Sequence, residues 1–500
     1  MADRKQQVVN YADWSYGEFG SLGSWNAPKG SFTSSNVMRY VDGSLGPRNG
    51  LKQYTLTGTT ASPINAAGMW LGNKLWFQLF NDDVYSIDPL NMASQAVSSV
   101  ASAGQLANQS VTVGNDVYFI ALTGGIFRVQ TPSTVSAVAS TPSGTSIAAY
   151  GDRVVAAGST SQPQRLYYSA AGDPTTWSAS DFIDVGVGTA ITALIPLRGA
   201  LAIVTSSAYS SQVTNRFSWW LLTGVPGVND TLREVVRAQG PNVYGAADVL
   251  QDGRVAFIAS VAEVVGFFDG SKTDLLRHLP SGTKGVTDEW TVVAMRDESD
   301  VYLHSDVGAS SNVAFGYFRR DGTWLKQAFA EANVGYNVVP IFDGTVDPVV
   351  MIDKSATPKF YAWLPYNDRP PFTTDTFASI LTSSGVYFEL PEWWTKDDDE
   401  VSVRKVVVSF RDWDTDDSDP NTFDVAVTPL RKYEGGEGST QTQSFSRATS
   451  ASAAAGVNLR RDFNFSDDYG NGFKLKIANM RGVAIQKIQV VLNVRPPQGL

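Results

Sequence analysis

Short apolar runs, rich in Val, Ile and aromatic residues, are cut at close intervals along the chain by Gly, Asp and Asn. The runs are too short for helices and carry the residue types that suit pleated strands. One unit recurs, a polar turn followed by an apolar strand: Gly72-Asn73-Lys74-Leu75-Trp76-Phe77, Gly114-Asn115-Asp116-Val117-Tyr118-Phe119, Gly151-Asp152-Arg153-Val154-Val155, Gly199-Ala200-Leu201-Ala202-Ile203 and Gly253-Arg254-Val255-Ala256-Phe257. Weaker copies stand at Ser299-Asp300-Val301-Tyr302-Leu303 and Gly344-Thr345-Val346. A second apolar strand follows each copy, as in Ile126-Phe127-Arg128-Val129, Phe217-Ser218-Trp219-Trp220-Leu221 and Phe360-Tyr361-Ala362-Trp363. A third precedes several of them, as in Ile191-Thr192-Ala193-Leu194 and Val243-Tyr244-Gly245-Ala246. The spacing is roughly 45 residues, the length of a four-stranded propeller blade.

One such sheet cannot bury both faces alone, so copies must stack, and a closed ring does this with few open strand edges. The pattern therefore predicts an all-β chain: a seven-bladed β-propeller over residues 61–370, followed by a C-terminal β-sandwich, jelly-roll or immunoglobulin-like, over 371–500. An open β-solenoid or two stacked sandwiches is the competing architecture. Residues 1–60 fall outside the period. They read either as a strand that closes the ring or as an arm that clasps a neighbouring subunit. The break Pro365-Tyr366-Asn367-Asp368-Arg369-Pro370-Pro371 reads as a linker. Beyond it, strands are predicted at 386–390, 401–408, 423–427, 473–477 and 485–492. The Ser/Thr/Ala/Gly tract from Gly435 to Val457 is expected to be a mobile loop.

Composition narrows the function classes. A chain of 500 residues exceeds a single core. It has no cysteine, which removes disulfides, thiolate zinc sites and cysteine nucleophiles. A net charge of −10 argues against a general phosphate-binding surface. No segment has the ~20 consecutive apolar residues of a membrane span, and the polar, charged start does not read as a secretory signal.

Candidate chemistry is sparse. The two histidines, His278 and His304, belong to different repeats and have no ligand-like neighbours. No G-x-S-x-G elbow, P-loop or dinucleotide fingerprint occurs. Glu263, Asp297, Glu298 and Asp300 are the acids that a propeller glycosidase would bring together, although solvated hairpin acids read the same way. Asp412, Asp414 and Asp416 have the spacing of a calcium loop's first ligands, but Asp417 stands where the loop needs Gly and Phe423 where it needs Glu. An EF-hand is rejected, leaving an exposed acidic loop or a looser calcium site. Trp219-Trp220 and Trp393-Trp394 suggest sugar platforms, but neighbours on a strand face opposite ways, so one ring of each pair belongs in the core. No catalytic, cofactor-binding or metal-binding residue is assigned.

The phrase Tyr167-Tyr168-Ser169-Ala170-Ala171-Gly172-Asp173-Pro174-Thr175-Thr176-Trp177, followed by Ile191-Thr192-Ala193-Leu194 and Leu201-Ala202-Ile203-Val204, resembles one found in tailed-bacteriophage virion proteins. The stretch from Asn36-Val37-Met38-Arg39-Tyr40 to Gly50-Leu51 is similar to the opening of the same proteins. They include tail nozzle proteins and propeller-bearing minor tail proteins. The resemblance covers roughly residues 10–270 and implies a structural, non-enzymatic part of a phage tail. It further implies assembly in the host cytoplasm, homo-oligomers within the virion, and partners among other tail proteins and a host receptor or surface carbohydrate. No specific nucleic acid and no membrane are expected as partners. The alternative is a glycosidase or depolymerase acting on host envelope carbohydrate; a bacterial carbohydrate-binding propeller is a third reading. On residues alone, Asp173 and Pro174 set a turn, and Trp177 folds back as an apolar plug between blades.

Overall fold

The computed structural model describes side chains within residues 5–14, 32–55, 87–90, 109–258, 266–274, 350, 359–381 and 385–496, with gaps, and backbone for further strands between these ranges. The described elements are all β-strands. The chain forms two compact units, one of residues 53–312 and 332–362, the other of 1–52, 313–331 and 363–500.

The first unit is a propeller. Most of its sheets are antiparallel and built from consecutive strands, as in Ser146–Tyr150, Arg153–Ala157, Arg165–Ala170 and Asp173–Asp184. The strands that open the sheets are Ile64–Leu71, Leu106–Val113, Ser146–Tyr150, Ala190–Leu197, Ala247–Val249, Trp290–Ala294 and Val334–Pro340. Each packs against the next, and Val334–Pro340 returns to Ile64–Leu71, so seven sheets close into a ring. Among the described residues, the recurring turns at Gly114, Gly151, Gly199 and Gly253 join the first and second strands of their sheets. The apolar runs after them are the second and third strands. Of Val243-Tyr244-Gly245-Ala246, nothing falls within the described residues; the first strand there is Ala247–Val249. The seventh sheet runs Val334–Pro340, Val349–Asp353, Lys359–Trp363 and then Lys52–Gln53, a strand from the head of the chain. Beside it, the Tyr54 amide donates to the Phe360 carbonyl at 2.9 Å.

Both faces of a blade are buried, which explains the unbroken apolar runs. On Ala200–Ser206, Leu201 and Ile203 pack toward Val155 and Leu166 of the third sheet. The alternate residues Ala202 and Val204 pack toward Phe257 and Phe268 of the fifth. The same division separates the paired tryptophans. Trp219 is wholly buried, its ring 4.4 Å from Phe268 and 5.0 Å from Phe257. Trp220 lies half-buried against the third sheet, and its Nε1 donates to Thr205 Oγ1 at 3.1 Å.

In the second unit two sheets share one core. One orders Val37–Arg39, Leu45–Pro47, Val483–Arg495, Glu400–Asp412 and Val457–Asn464, with Lys5–Tyr11 also paired to Val483–Arg495. The other includes Ser31–Ser35, Tyr387–Glu389, Gly472–Arg481 and Asn421–Arg431. Strict alternation along Asn421–Arg431 turns Phe423, Val425 and Val427 inward. There Phe423 meets Phe410, Phe445 and Phe463 at centroid distances of 4.9, 5.1 and 5.6 Å.

The tract expected to be a loop corrects one expectation. Gln441–Arg447, inside it, is a strand paired along its length with Asn421–Arg431. It is an edge strand whose outward side chains are polar, and Phe445 alone is buried. A polar edge strand with one apolar anchor is compositionally indistinguishable from a loop.

Trp219 joins two blades, so Trp219→Ala leaves a large cavity between them. It should cost about 3–5 kcal/mol, seen as a lower midpoint in chemical denaturation followed by circular dichroism.

Candidate functional site

The segment opening at Asn36 is built around a buried guanidinium. Arg48 is fully buried, its Nε donating to Asn36 Oδ1 at 2.9 Å and its Nη1 to the Asn49 carbonyl at 2.7 Å. The Arg48 amide donates to the Asn36 carbonyl at 2.9 Å, so backbone and side chain bind the same residue. Asn36 sits at φ +57°, a conformation that asparagine tolerates better than most residues. Between them, Tyr40 donates its hydroxyl to the Pro47 carbonyl at 3.0 Å. Its ring lies across Gly46, where any Cβ would meet it at 2.5 Å. A buried charge requires such satisfied partners. The resulting hairpin, Val37–Arg39 with Leu45–Pro47, adds to the sheet beside Ile485.

The Gly172-Asp173-Pro174 phrase is a second locked device. Gly172 takes φ +68°, and its amide donates to the Asp152 carbonyl at 2.9 Å. The Asp173 carboxylate accepts from Thr176 Oγ1, Thr175 Oγ1 and the Thr175 amide at 2.7, 2.7 and 2.9 Å. Those bonds, that from Thr176 foremost, hold its pKa down to about 2. Trp177 folds back, with Nε1 donating to the Pro174 carbonyl at 2.8 Å. Its ring packs with Ile120, Ile126 and Val154, the plug between the second and third sheets.

The residues weighed for catalysis and metal binding are not brought together among the described residues. Glu263, Asp297 and Glu298 lie outside them, and of Asp300 only its place in Asp300–Asp306 is described. His278 and His304 are on strands of the fifth and sixth sheets. Asp414, Asp416 and Asp417 also lie outside the described residues. Asp412 is buried, with Asn421 Nδ2 2.7 Å from its Oδ1 and Arg447 Nε 2.6 Å from its Oδ2. Asp419 pairs with Arg481 at 3.0 Å. Both described acids of the run therefore face guanidinium groups, and a cation at Asp412 would compete with Arg447. No cluster of three or more metal-ligating side chains occurs among the described residues. Trp393 and Trp394 are half-buried; one stacks 5.4 Å from Phe473 and the other donates to Glu392 at 3.2 Å.

Two outcomes follow. Asn36→Ala removes the acceptor of a buried guanidinium and should destabilise this unit by about 2–3 kcal/mol, measured by denaturant titration. The Asp173 carboxyl should titrate near pH 2 in a carbon-detected NMR experiment. Its pKa is depressed on folding, so its contribution is complete above the ordinary value of 3.8 and is lost as pH falls toward about 2. In Thr176→Val the midpoint should move up.

No protein-family model matches the chain, and no curated protein matches it. Among solved structures it is similar to BamB from Moraxella catarrhalis at 11% identity, over 66% of this chain and 97% of that one, with a TM-score of 0.39. It is also similar to YCF48 bound to D1 peptide, at 13% identity over 63% of this chain and 95% of that one, TM-score 0.39. The WD40 propeller domain of Doa1 aligns at 8% identity over 63% of this chain and 97% of that one, TM-score 0.40. Likenesses this distant carry no functional information, and the fold stands on the strand order and the closed ring.

Proposed function

We propose that this chain is a structural component of a bacteriophage tail, a minor tail protein that assembles with other tail proteins in the host cytoplasm and works in the virion. The observation that carries this reading is the structural use of both phrases that resemble tail proteins. One, Gly172 to Trp177, plugs two blades together. The other, Asn36 to Gly50, anchors the edge of the second unit through Arg48. Phrases serving the architecture suit a likeness between scaffolds.

In this role the propeller is a rigid protein-binding ring and the chain works in several copies about the tail axis. A net charge of −10 suits a surface past which DNA must move without sticking. Host attachment through the second unit is the other place in a tail where such a chain fits.

Virions purified from the host should contain this chain by mass spectrometry, and imaging with a bound antibody fragment should place it in a ring below the portal or at the distal tip. Virions that lack the chain would overturn the reading. So would release of reducing sugar from host envelope by the purified chain.

A further inference from the structure

The sheet that carries Glu400–Asp412 and Val483–Arg495 has two edges of different character. One is Val457–Asn464, on which Arg460, Arg461 and Asp462 are all exposed. Charges of this kind guard an edge strand against pairing with another chain. The other is Lys5–Tyr11, paired along its whole length with residues 488–494 on one side. Among the described residues no strand pairs with its other side. This strand has one charge, no glycine and no proline, and residues 5–8 and 10 are exposed. Val8, at its centre, is 52% exposed. Such a segment is an open template for the addition of another strand.

The pattern along the strand selects what is added. Val9 and Tyr11 turn toward the core of the unit, so Gln6, Val8 and Asn10 face away from it. A second copy can lie antiparallel along the open edge with a two-fold axis at Val8. Lys5 then stands opposite Tyr11, Gln6 opposite Asn10, Gln7 opposite Val9, and Val8 opposite its own counterpart. Every pair keeps both side chains on one face, because residues an even number apart share a face. The two exposed valines cover each other. Beside them the Gln6 and Asn10 amides meet, each both donor and acceptor. Gln489 already orients Asn10, its Nε2 donating to Asn10 Oδ1 at 2.8 Å and leaving the Asn10 amino group to donate. Each Lys5 ammonium lies by the Tyr11 ring of the other copy. The two ammonium groups stand at opposite ends of the pair, about 20 Å apart, so they do not repel at contact. Laid against the guarded edge instead, the same strand would have to accommodate Arg460, Arg461 and Asp462.

We propose that Lys5–Tyr11 is a self-association edge, through which two copies of this chain pair antiparallel about a two-fold axis at Val8 and join their sheets into one. The pairing is a property of the chain in solution and does not depend on the tail reading, since the presence of the chain in virions is a separate measurement.

The test is analytical ultracentrifugation of the full chain over rising concentration, combined with single-cysteine crosslinking, for which the cysteine-free sequence is a clean background. One pair of short strands belongs to the weak class of interfaces. The mass should therefore rise from 53.9 kDa toward twice that value, with a dissociation constant on the order of 10–100 μM. Val8→Glu sets two like charges opposite each other and should weaken association roughly tenfold. Val8→Cys should form an intermolecular disulfide under copper-phenanthroline oxidation, because the pairing brings the two Cβ atoms to about 5 Å. Val457→Cys, equally exposed at 51% but on the guarded edge, should not. Circular dichroism checks that each variant folds, and Val8→Cys keeps the test sound if Val8→Glu does not. A chain that stays monomeric at every concentration overturns the proposal. So does association unchanged in a folded Val8→Glu chain, or a Val457→Cys crosslink as strong as that of Val8→Cys. A stronger crosslink in a mixture of Val8→Cys and Arg460→Cys chains would mark head-to-tail joining and overturn it too.

Discussion

The propeller depends on one contact repeated around the ring, the packing of one blade face against the next. A four-stranded sheet in water exposes two apolar faces, and burying apolar surface is the main force that can order so many short strands. Leu201 and Ile203 turn one way and Ala202 and Val204 the other, so the fourth sheet serves as core for two neighbours at once. The Trp219 ring fills the space between the fourth and fifth sheets, and Trp177 that between the second and third. Strand side chains committed to packing on both faces are withdrawn from chemistry. The loops at strand ends, and the second unit, carry what remains available for recognition.

The second unit obeys a different constraint, because its sheet joins the ends of the chain. Lys5–Tyr11 pairs with residues 488–494, and Trp14 shares a core with Phe388. Closing so long a loop costs entropy that local turns do not. The buried Asn36–Arg48 pair ties the two ends of the hairpin that joins this sheet to each other. Arg48 is local to Asn36 in sequence, yet its burial follows from the strands around it, which come from residues far along the chain.

That difference accounts for what could be read in advance. The recurring turns and apolar strands are local signals and mark strands of all seven sheets. The Asp173–Trp177 turn was legible because its acceptor, its proline and its plug are adjacent. Gln441–Arg447 was not, since six of its seven residues are polar or small and its strand character comes from pairing with Asn421–Arg431. The partner of Asp412 was equally hidden. Arg447 lies on that unrecognised strand, and an acidic run viewed alone suggests a cation site where the fold supplies a guanidinium.

Net charge and local charge act at different ranges in this chain. At −10 overall, the long-range field disfavours polyanions and leaves neutral solutes unaffected. That field is screened within about 10 Å at ordinary salt, so within the second unit each charged group is governed by its immediate partner: Arg48 by Asn36, Asp412 by Arg447 and Asp419 by Arg481. An acidic run therefore says little about affinity for cations until the guanidinium groups that the fold brings to it are known.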